Sequence, residues 1–320
     1  MTLSHPSALD ALHERFGQRL RQNEPLAAHT TLRVGGPADL WLTVTSLEEL
    51  IEAMALAWEH HIPVCLLGSG ANMLVSDRGV RGLVLQNRCQ QVSLPATGDN
   101  AEAADPPHVL VESGVILPSL AHRLAHQGLS GLEWAVGVPG TIGGAVVNNA
   151  GAYGYCMADC LVRAELYLPA SEQRAWYLVN WFEYDYRSSR LKRREVGEPA
   201  VVLQAELALS HKSPGEIENQ MAAFSARRRA SQPTGASVGS MFKNPPGDYA
   251  GRLIEAAGLK GKQIGGAQIS PVHANFFINQ GQAQAADFAA LIDLARQTVK
   301  ERFDIELELE IEKIGDWGST

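Results

Sequence analysis

The chain has 320 residues, of which 45% are hydrophobic and 19% are charged, and its formal net charge is -8. This length exceeds what one small core requires, so we expect two or three domains, and the composition argues against a disordered chain. The acidic balance argues against a general nucleic-acid binder, because phosphate contacts need a clustered basic face. The one basic run, at 191–194, is typical of a solvated loop or of a site for one anionic ligand.

Signals for secretion, membranes and metals are weak. Residues 1–20 are interrupted by charged side chains, and no stretch reaches the roughly 18 apolar residues that a membrane span requires. We therefore expect a cytoplasmic protein without a membrane partner. Of the four cysteines only Cys156 and Cys160 are close, and their Cys-x3-Cys spacing lacks a matching second pair. Reduced thiols, and no metal site, are the expectation.

The first predicted domain, 1–87, alternates helices and strands. Ser46 and Glu49 form a capping-box pattern that opens a helix reaching about Trp58. Hydrophobic periodicity predicts one further helix at 8–20 and strands at 40–44, 63–67 and 82–85. This alternation is typical of a small α+β or α/β unit.

The second predicted domain, 88–212, begins with a loop-like stretch, 88–107, that contains Pro95 and Gly98. The pattern then predicts strands at 108–112, 161–168 and 200–209 and a helix at 118–127. The segment 128–154 is dense in glycine and shows little periodicity, so we interpret it as a glycine-rich loop.

The third predicted domain, 213–303, opens on Ser213, Pro214 and Glu216, which together are a strong helix-start signal. Helices are predicted from there to about 229, at 249–257 and at 284–302. Alternating Ile or Leu with Glu over 305–312 predicts a C-terminal strand within the last segment, 304–320.

A first glycine-rich loop follows the buried strand at 63–67. Its glycines let the backbone turn tightly and present N–H groups to an anion. Met73 stands where a dinucleotide fingerprint needs its third glycine, so a phosphate cradle of another kind fits better than a Rossmann turn. A plain strand-to-loop turn is the structural alternative. The candidate residues are Gly68, Ser69, Gly70, Ala71, Asn72 and Met73.

The second glycine-rich loop lies within 128–154, and neither loop is followed by a Walker lysine. Two such loops can clamp a dinucleotide, which has two flat ends and a central pyrophosphate. The candidate cofactor residues here are Gly137, Pro139, Gly140, Thr141, Gly143, Gly144, Asn148 and Gly151.

Further motifs join these loops in a fixed order along nearly the whole chain, from about 25 to 315. The loops resemble the FAD-binding domain of vanillyl-alcohol-oxidase-like (PCMH-type) flavoproteins. The ordered set resembles, more narrowly, the UDP-N-acetylenolpyruvoylglucosamine reductase (UDP-N-acetylmuramate dehydrogenase) family. The motifs are HTTLRVGGP at 29–37, the two loops, YRSS at 186–189, GSMFKNP at 239–245, AGLKG at 257–261, GGA at 265–267, HANF at 273–276 and Glu310.

The resemblance implies an α+β fold: a two-part PCMH/VAO-type FAD-binding region followed by an α+β substrate-binding domain. It also implies noncovalent FAD, NADPH as hydride donor, and reduction of UDP-N-acetylglucosamine enolpyruvate to UDP-N-acetylmuramate in bacterial cell-wall synthesis. The expected partner is this small-molecule substrate, with no nucleic acid, and the protein is expected to be a monomer. The segment between Arg187 and the next predicted strand is short, so the chain resembles the type II form of the family, which lacks a substrate-capping tyrosine loop.

By the same resemblance, Arg187, Ser240 and Glu310 carry the reaction with the enolpyruvyl substrate. Hydride reaches C3 from flavin N5, Arg187 steadies the charge near the carboxylate, Ser240 gives a proton to C2, and Glu310 assists if protonated. Each residue has a structural alternative: a surface arginine, a turn cap, and one glutamate among several on a charged strand face. The usual family sequence around the glutamate is Pro-Glu-Val-Arg, whereas 309–312 reads Leu-Glu-Ile-Glu.

Tyr186, Asn244, Lys260 and His273 are substrate contacts by the same transfer, since lysine suits a diphosphate and asparagine suits sugar or uracil edges. For His273 the alternative is a ring packed beneath Phe276. Two other functions stay open: an oxidase of the same flavin fold that acts on a sugar or alcohol, and a non-catalytic flavin- or sugar-nucleotide-binding module.

Overall fold

The computed structural model describes residues 6–94 and 106–318 and gives side-chain environments from residue 9. The predicted loop residues Pro95 and Gly98 lie outside these ranges. Internal contacts divide the chain into two units. Unit 1 comprises Met1–Leu20, Leu42–Gly68 and Leu85–Arg227, and unit 2 comprises Arg21–Trp41, Ser69–Val84 and Arg228–Thr320. The predicted domain boundaries near 87, 212 and 303 stay predictions.

Helices and strands alternate along the described chain. The α-helices are α1 (Pro6–Phe16), α2 (Leu47–Glu59), α3 (Leu117–His126), α4 (Ile142–Asn148), α5 (Pro214–Ser231), α6 (Ala250–Ala256) and α7 (Ala285–Phe303). The strands of the first 100 residues are β1 (Arg21–Pro25), β2 (Pro37–Val44), β3 (Val64–Leu67), β4 (Met73–Val75), β5 (Val80–Asn87) and β6 (Val92–Ser93).

The later strands are β7 (His108–Glu112), β8 (Leu129–Ser130), β9 (Gly151–Ala152), β10 (Tyr155–Cys156), β11 (Leu161–Leu168), β12 (Gln173–Leu178), β13 (Val201–Ala208), β14 (Ser210–His211), β15 (Gln263–Ile264), β16 (Ala267–Ile269), β17 (Phe277–Asn279) and β18 (Glu312–Ile314). The capping box predicted at Ser213 forms in full, since Ser213 Oγ accepts from the Glu216 N–H at 3.3 Å and Glu216 accepts from the Ser213 N–H at 3.2 Å. At Ser46 only half of the predicted box forms: Ser46 Oγ accepts from the Glu49 N–H at 3.2 Å, but the Glu49 carboxylate accepts from the Thr45 N–H.

Unit 1 is built on an antiparallel five-stranded sheet of order β12-β11-β13-β7-β6. Its core buries the apolar faces of α3 and α4 with β11 and β13, and Trp134 and Phe182 are among its largest buried side chains. Strands β11 and β13 are mostly buried, which is why their sequences are largely apolar. This core supports the second glycine-rich loop.

Unit 2 contains the antiparallel three-stranded sheet β15-β16-β17 and the long helix α7. Phe242, Phe277 and Phe288 are fully buried in its core, together with the apolar faces of α6 and α7. Strand β18 pairs in parallel with β4, and this pairing joins the C-terminal segment to the first glycine-rich loop.

Two sequence expectations are wrong in extent. The terminal strand predicted over 305–312 is regular only at Glu312–Ile314, because the preceding residues meet another chain segment through a single bridge, between Phe242 and Leu309. The segment 128–154 is not all loop, since it contains α4, which Thr141 caps and which buries Ile142, Ala145 and Val146. None of the described helices has the length and apolar content needed to cross a membrane.

Candidate functional site

The two glycine-rich loops approach each other within unit 1 at Gly68. A Cβ atom added to Gly68 would lie 2.6 Å from Oγ1 of Thr141, so only glycine permits this approach. Thr141 itself caps α4, and its hydroxyl oxygen accepts from the Gly144 N–H at 3.4 Å. Residues 68 and 141, both predicted to contact the cofactor, therefore lie side by side.

In unit 2 the first loop is anchored to the 29–37 motif. Gly70 has a φ of +66°, and a Cβ there would lie 2.1 Å from the main-chain oxygen of His29. The Thr31 N–H donates to the Gly70 oxygen at 3.0 Å. The 29–37 motif and the first glycine-rich loop, which are about 40 residues apart in the sequence, are therefore joined through their backbones.

Ser69 provides the test of whether a cofactor fits this loop. Its hydroxyl is buried and has no hydrogen-bond partner among the described residues. A buried hydroxyl that lacks a partner costs free energy, about 1–3 kcal/mol, unless a ligand supplies one. A phosphate oxygen of FAD is a suitable acceptor for this hydroxyl. The loop therefore fits a dinucleotide.

The segment 184–192 is fastened to the C-terminal end of α4 by hydrogen bonds to main-chain oxygens. The Tyr184 hydroxyl donates to the Val146 oxygen at 2.8 Å, and the Ser189 hydroxyl donates to the Val147 oxygen at 2.5 Å. Burial raises the pKa of Tyr184, which therefore stays a donor at neutral pH. The segment is thus held rigidly against the second loop.

Arg187 and Tyr186 lie in this fastened segment. Arg187 has a left-handed backbone, with a φ of +52°, and its Nη2 donates to the Gly151 oxygen at 2.6 Å. The guanidinium carbon lies 5.5 Å from the centre of the Tyr186 ring, and Tyr186 is 49% exposed. Arg187, predicted as catalytic, therefore contacts Gly151 of the predicted cofactor loop, and Tyr186, a predicted substrate contact, lies beside it.

Asn148 and Asn149, at the end of α4, are engaged by neighbouring segments. The Lys192 ammonium donates to Asn148 Oδ1 at 2.7 Å, so the basic run that the sequence suggested for a solvated loop reaches the second glycine-rich loop. Asn149 donates to the Asp185 oxygen at 3.1 Å and accepts from the Ala158 N–H at 3.1 Å.

Within unit 2 the GSMFKNP motif runs between two other chain segments. Ser240 forms a bridge with Phe276 on one side, and Phe242 forms a bridge with Leu309 on the other. The Glu310 N–H donates to the Met241 oxygen at 3.0 Å. The structure thus brings the segments that carry Ser240 and Glu310 into direct contact.

Two asparagines hold this arrangement, and the sequence identified neither as doing so. Asn275 is 2% exposed; its side chain accepts from the Phe242 N–H at 2.9 Å and donates to the Phe242 oxygen at 2.8 Å. Asn72, predicted as a cofactor residue, donates from Nδ2 to the Glu310 oxygen at 3.2 Å. The HANF motif signalled that Asn275 was special, but its partner 33 residues away becomes visible only in the fold.

The other predicted substrate residues gather around α6. Asn244 accepts from the Ala250 N–H at 3.1 Å, and Lys260 pairs with Glu255 at 2.9 Å. The His273 ring contacts Phe276 edge-on at 4.9 Å between ring centres. Burial, reinforced by the charge of Lys260, lowers the pKa of His273, so its ring is neutral at neutral pH.

In the part of the chain that the structure describes, no group of three or more His, Cys, Asp or Glu side chains is arranged to hold a metal ion. Burial raises the pKa of Cys89 and of Cys160 to about 12, so both thiols stay protonated. None of the four cysteines forms a disulfide.

Two family models match the chain. The model described as "FAD binding domain" matches residues 38–175. The model described as "UDP-N-acetylenolpyruvoylglucosamine reductase, C-terminal domain" matches residues 232–314. The two matches thus include the glycine-rich loops, strands β6, β7 and β11 of the five-stranded sheet, and the segments of Ser240 and Glu310.

Several curated proteins are similar over nearly their full length. The UDP-N-acetylenolpyruvoylglucosamine reductase of Chloroflexus aggregans is 46% identical over 92% of this chain and 97% of its own. That of Bacillus subtilis is 38% identical over 96% of this chain and 98% of its own. The crystal structure of the UDP-N-acetylenolpyruvylglucosamine reductase of Thermus caldophilus superposes with a TM-score of 0.76 at 36% identity, covering 92% of this chain and 98% of that one.

Proposed function

Because this chain belongs to the UDP-N-acetylenolpyruvoylglucosamine reductase family, we propose that it reduces UDP-N-acetylglucosamine enolpyruvate to UDP-N-acetylmuramate with NADPH as the hydride donor. The chain is an FAD-dependent oxidoreductase of peptidoglycan-precursor synthesis. In this proposal it works as a monomer in the bacterial cytoplasm. The observation that carries the proposal is the contact between the Ser240 and Glu310 segments, through the hydrogen bond from the Glu310 N–H to the Met241 oxygen.

FAD, when bound, would be the hydride carrier between NADPH and an alkene carbon of the substrate. The residues proposed to hold it are those of the two glycine-rich loops, 68–73 and 137–151. The Ser69 hydroxyl, buried without a partner among the described residues, would donate to a phosphate oxygen. The approach of Gly68 to Thr141 would bring both loops to the same end of the dinucleotide.

Arg187 is proposed to hold the substrate carboxylate. As hydride arrives at C3, negative charge builds on C2 and spreads into that carboxylate, and a fixed cation stabilises it most when it does not have to move. The bond to the Gly151 oxygen fixes the guanidinium, whose five N–H donors suffice for both a carbonyl and a carboxylate. A guanidinium also keeps its charge at any pH of interest.

Ser240 is proposed to give its hydroxyl proton to C2, which completes the addition of one hydride and one proton across the double bond. A serine hydroxyl is a weak acid, so a neighbouring group must stabilise it and solvent must restore the proton. Glu310 would serve there by hydrogen bonding. Lys260, Asn244, Tyr186 and His273 would bind the sugar nucleotide, and these roles rest on the family motifs.

A two-step flavin experiment tests the proposal. The purified protein should carry FAD, lose the blue-region absorption of oxidised flavin when NADPH is added without oxygen, and regain it when the enolpyruvyl substrate follows. UDP-N-acetylglucosamine, which lacks the alkene, is the matched control and should not restore the colour.

Other outcomes identify the competing functions. A protein that reacts with a sugar or alcohol and oxygen, with no need of NADPH, would be an oxidase of the same fold. Bound FAD that NADPH cannot reduce would indicate a binding module. A protein that takes up no FAD would refute the proposal altogether.

A further inference from the structure

We propose that Asn72 is a positioning residue for Glu310, acting through the main chain of the C-terminal segment. This inference rests on the proposed function, because it matters only if Glu310 takes part in the reaction. Asn72 lies in the first glycine-rich loop, whose residues, Asn72 included, are proposed to hold FAD. Its side chain is nevertheless engaged with residue 310, 238 positions away in the sequence.

The geometry of the parallel pair β4–β18 shows what the side chain does. Met73 is opposite Glu312, and the Glu312 N–H donates to the Asn72 oxygen at 3.0 Å. If this ladder continued by one step, the Glu310 oxygen would accept from the main-chain N–H of residue 72. The Asn72 side chain donates to that oxygen instead, at 3.2 Å. It therefore prolongs the ladder past the point at which the backbone turns into the glycine loop.

The consequence for Glu310 is that both of its main-chain polar groups are held by different segments. Its N–H donates to Met241, which adjoins Ser240, and its oxygen accepts from Asn72. The residues before β18 do not form a regular strand, so these two bonds, with the bridge between Phe242 and Leu309, hold the main chain at Glu310. Small misplacements of a catalytic group cost up to about a hundredfold in rate.

The test compares wild-type holoenzyme with Asn72→Ala in the two separate flavin steps. Reduction by NADPH, measured with FAD-saturated protein, is the internal reference, because it does not use Glu310 and a loss there would report a defect in cofactor binding. Reoxidation by the enolpyruvyl substrate should slow by about tenfold or more. The Asn72→Ser variant, whose hydroxyl is too short to span the same distance, should behave alike and serves if the alanine variant does not fold.

A double-mutant cycle separates positioning from a general structural role. In a Glu310→Ala background, Asn72→Ala should add little to the loss of reoxidation rate, because the residue it positions is gone. Fully additive losses would overturn the inference. So would a fall in FAD affinity or in the NADPH step that accounts for the whole defect, since Asn72 would then be a cofactor ligand. Failure of the proposed function would look different: the reduced flavin of the wild-type protein itself would not be reoxidised by the enolpyruvyl substrate.

Discussion

The guanidinium of Arg187 donates to the main-chain oxygen of Gly151 at 2.6 Å, and this bond joins the YRSS motif to the second glycine-rich loop. The two residues are 36 positions apart, and both lie in segments that the fold fastens to α4. A cation held in this way needs little reorganisation when negative charge develops nearby.

Replacing Arg187 by lysine should therefore greatly slow the reaction with the substrate, although the positive charge is kept. An ammonium is a compact charge on a flexible stem and lacks the planar fork that pairs with a carboxylate. We expect flavin reoxidation by substrate to slow by about a hundredfold, with the NADPH step little changed. The matched control is Arg15→Lys, in an exposed residue of α1 that pairs with Glu52. Equal effects of the two substitutions in rapid-mixing experiments would contradict the role of Arg187.

Gly68 should not tolerate a methyl group. The added Cβ would lie 2.6 Å from Thr141 Oγ1, and the strain of such overpacking, about 1–3 kcal/mol, should weaken FAD binding by about tenfold or more. The affinity of the apoprotein for FAD, followed by flavin fluorescence, measures this. Gly215→Ala in α5 is the control, because no heavy atom lies within 4 Å of the added carbon. Unchanged FAD affinity in Gly68→Ala would mean that the two loops separate easily.

Much of this molecule follows from its sequence. The resemblance drawn from the ordered motifs is confirmed by the relatives and family models, and the α+β fold with an FAD-binding region is confirmed as well. Strands with strong apolar patterns were predicted to the residue, as at His108–Glu112 and Leu161–Leu168. The helix starts at Ser46 and Ser213 were also predicted correctly, because a helix cap is a local interaction.

The parts that sequence reasoning missed depend on contacts between distant segments. The alternation over 305–312 agrees with the burial of Leu307 and Ile311. Strand pairing, however, requires a partner, and only Glu312–Ile314 has a continuous one. Helix α4 is short and contains two adjacent glycines, so its periodicity is faint. The bonds from Asn72 to residue 310 and from Asn275 to residue 242 have no local signature at all.

Asp77 contacts the first turn of α7, about 208 positions away in the sequence, and this contact should stabilise the folded protein. Both of its carboxylate oxygens accept from the first turn of α7, from the Ala285 N–H at 2.8 Å and the Ala286 N–H at 2.9 Å. Asp77→Ala should lower the free energy of unfolding by about 1–2 kcal/mol, as lost helix caps do. Asp77→Asn should cost less, since one oxygen remains.

The control for Asp77 is Asp293→Ala, an exposed residue farther along α7. Surface substitutions of this kind usually change the free energy of unfolding by less than about 0.5 kcal/mol. Urea unfolding followed by circular dichroism should therefore separate the two variants. If they unfold at the same urea concentration, the contact between Asp77 and α7 does not contribute to stability.

His273 should make the stability of the protein depend on pH. Its pKa in the folded chain is lowered by burial and by Lys260, whereas in the unfolded chain it returns to about 6.5. As the pH falls through the unfolded pKa, the unfolded chain takes up a proton that the folded chain does not, so stability decreases until the folded pKa is passed. The free energy of unfolding should thus rise with pH through this window.

Replacing His273 by asparagine, which keeps an acceptor for the Asn275 N–H, should flatten that dependence. Lys260→Gln should flatten it in part, because the ammonium opposes protonation of the ring, while Glu255 favours it. Urea unfolding at several pH values between about 5 and 7.5 measures the slope for each variant. A slope in His273→Asn equal to that of wild type would show that other groups, and not this ring, take up the proton on unfolding.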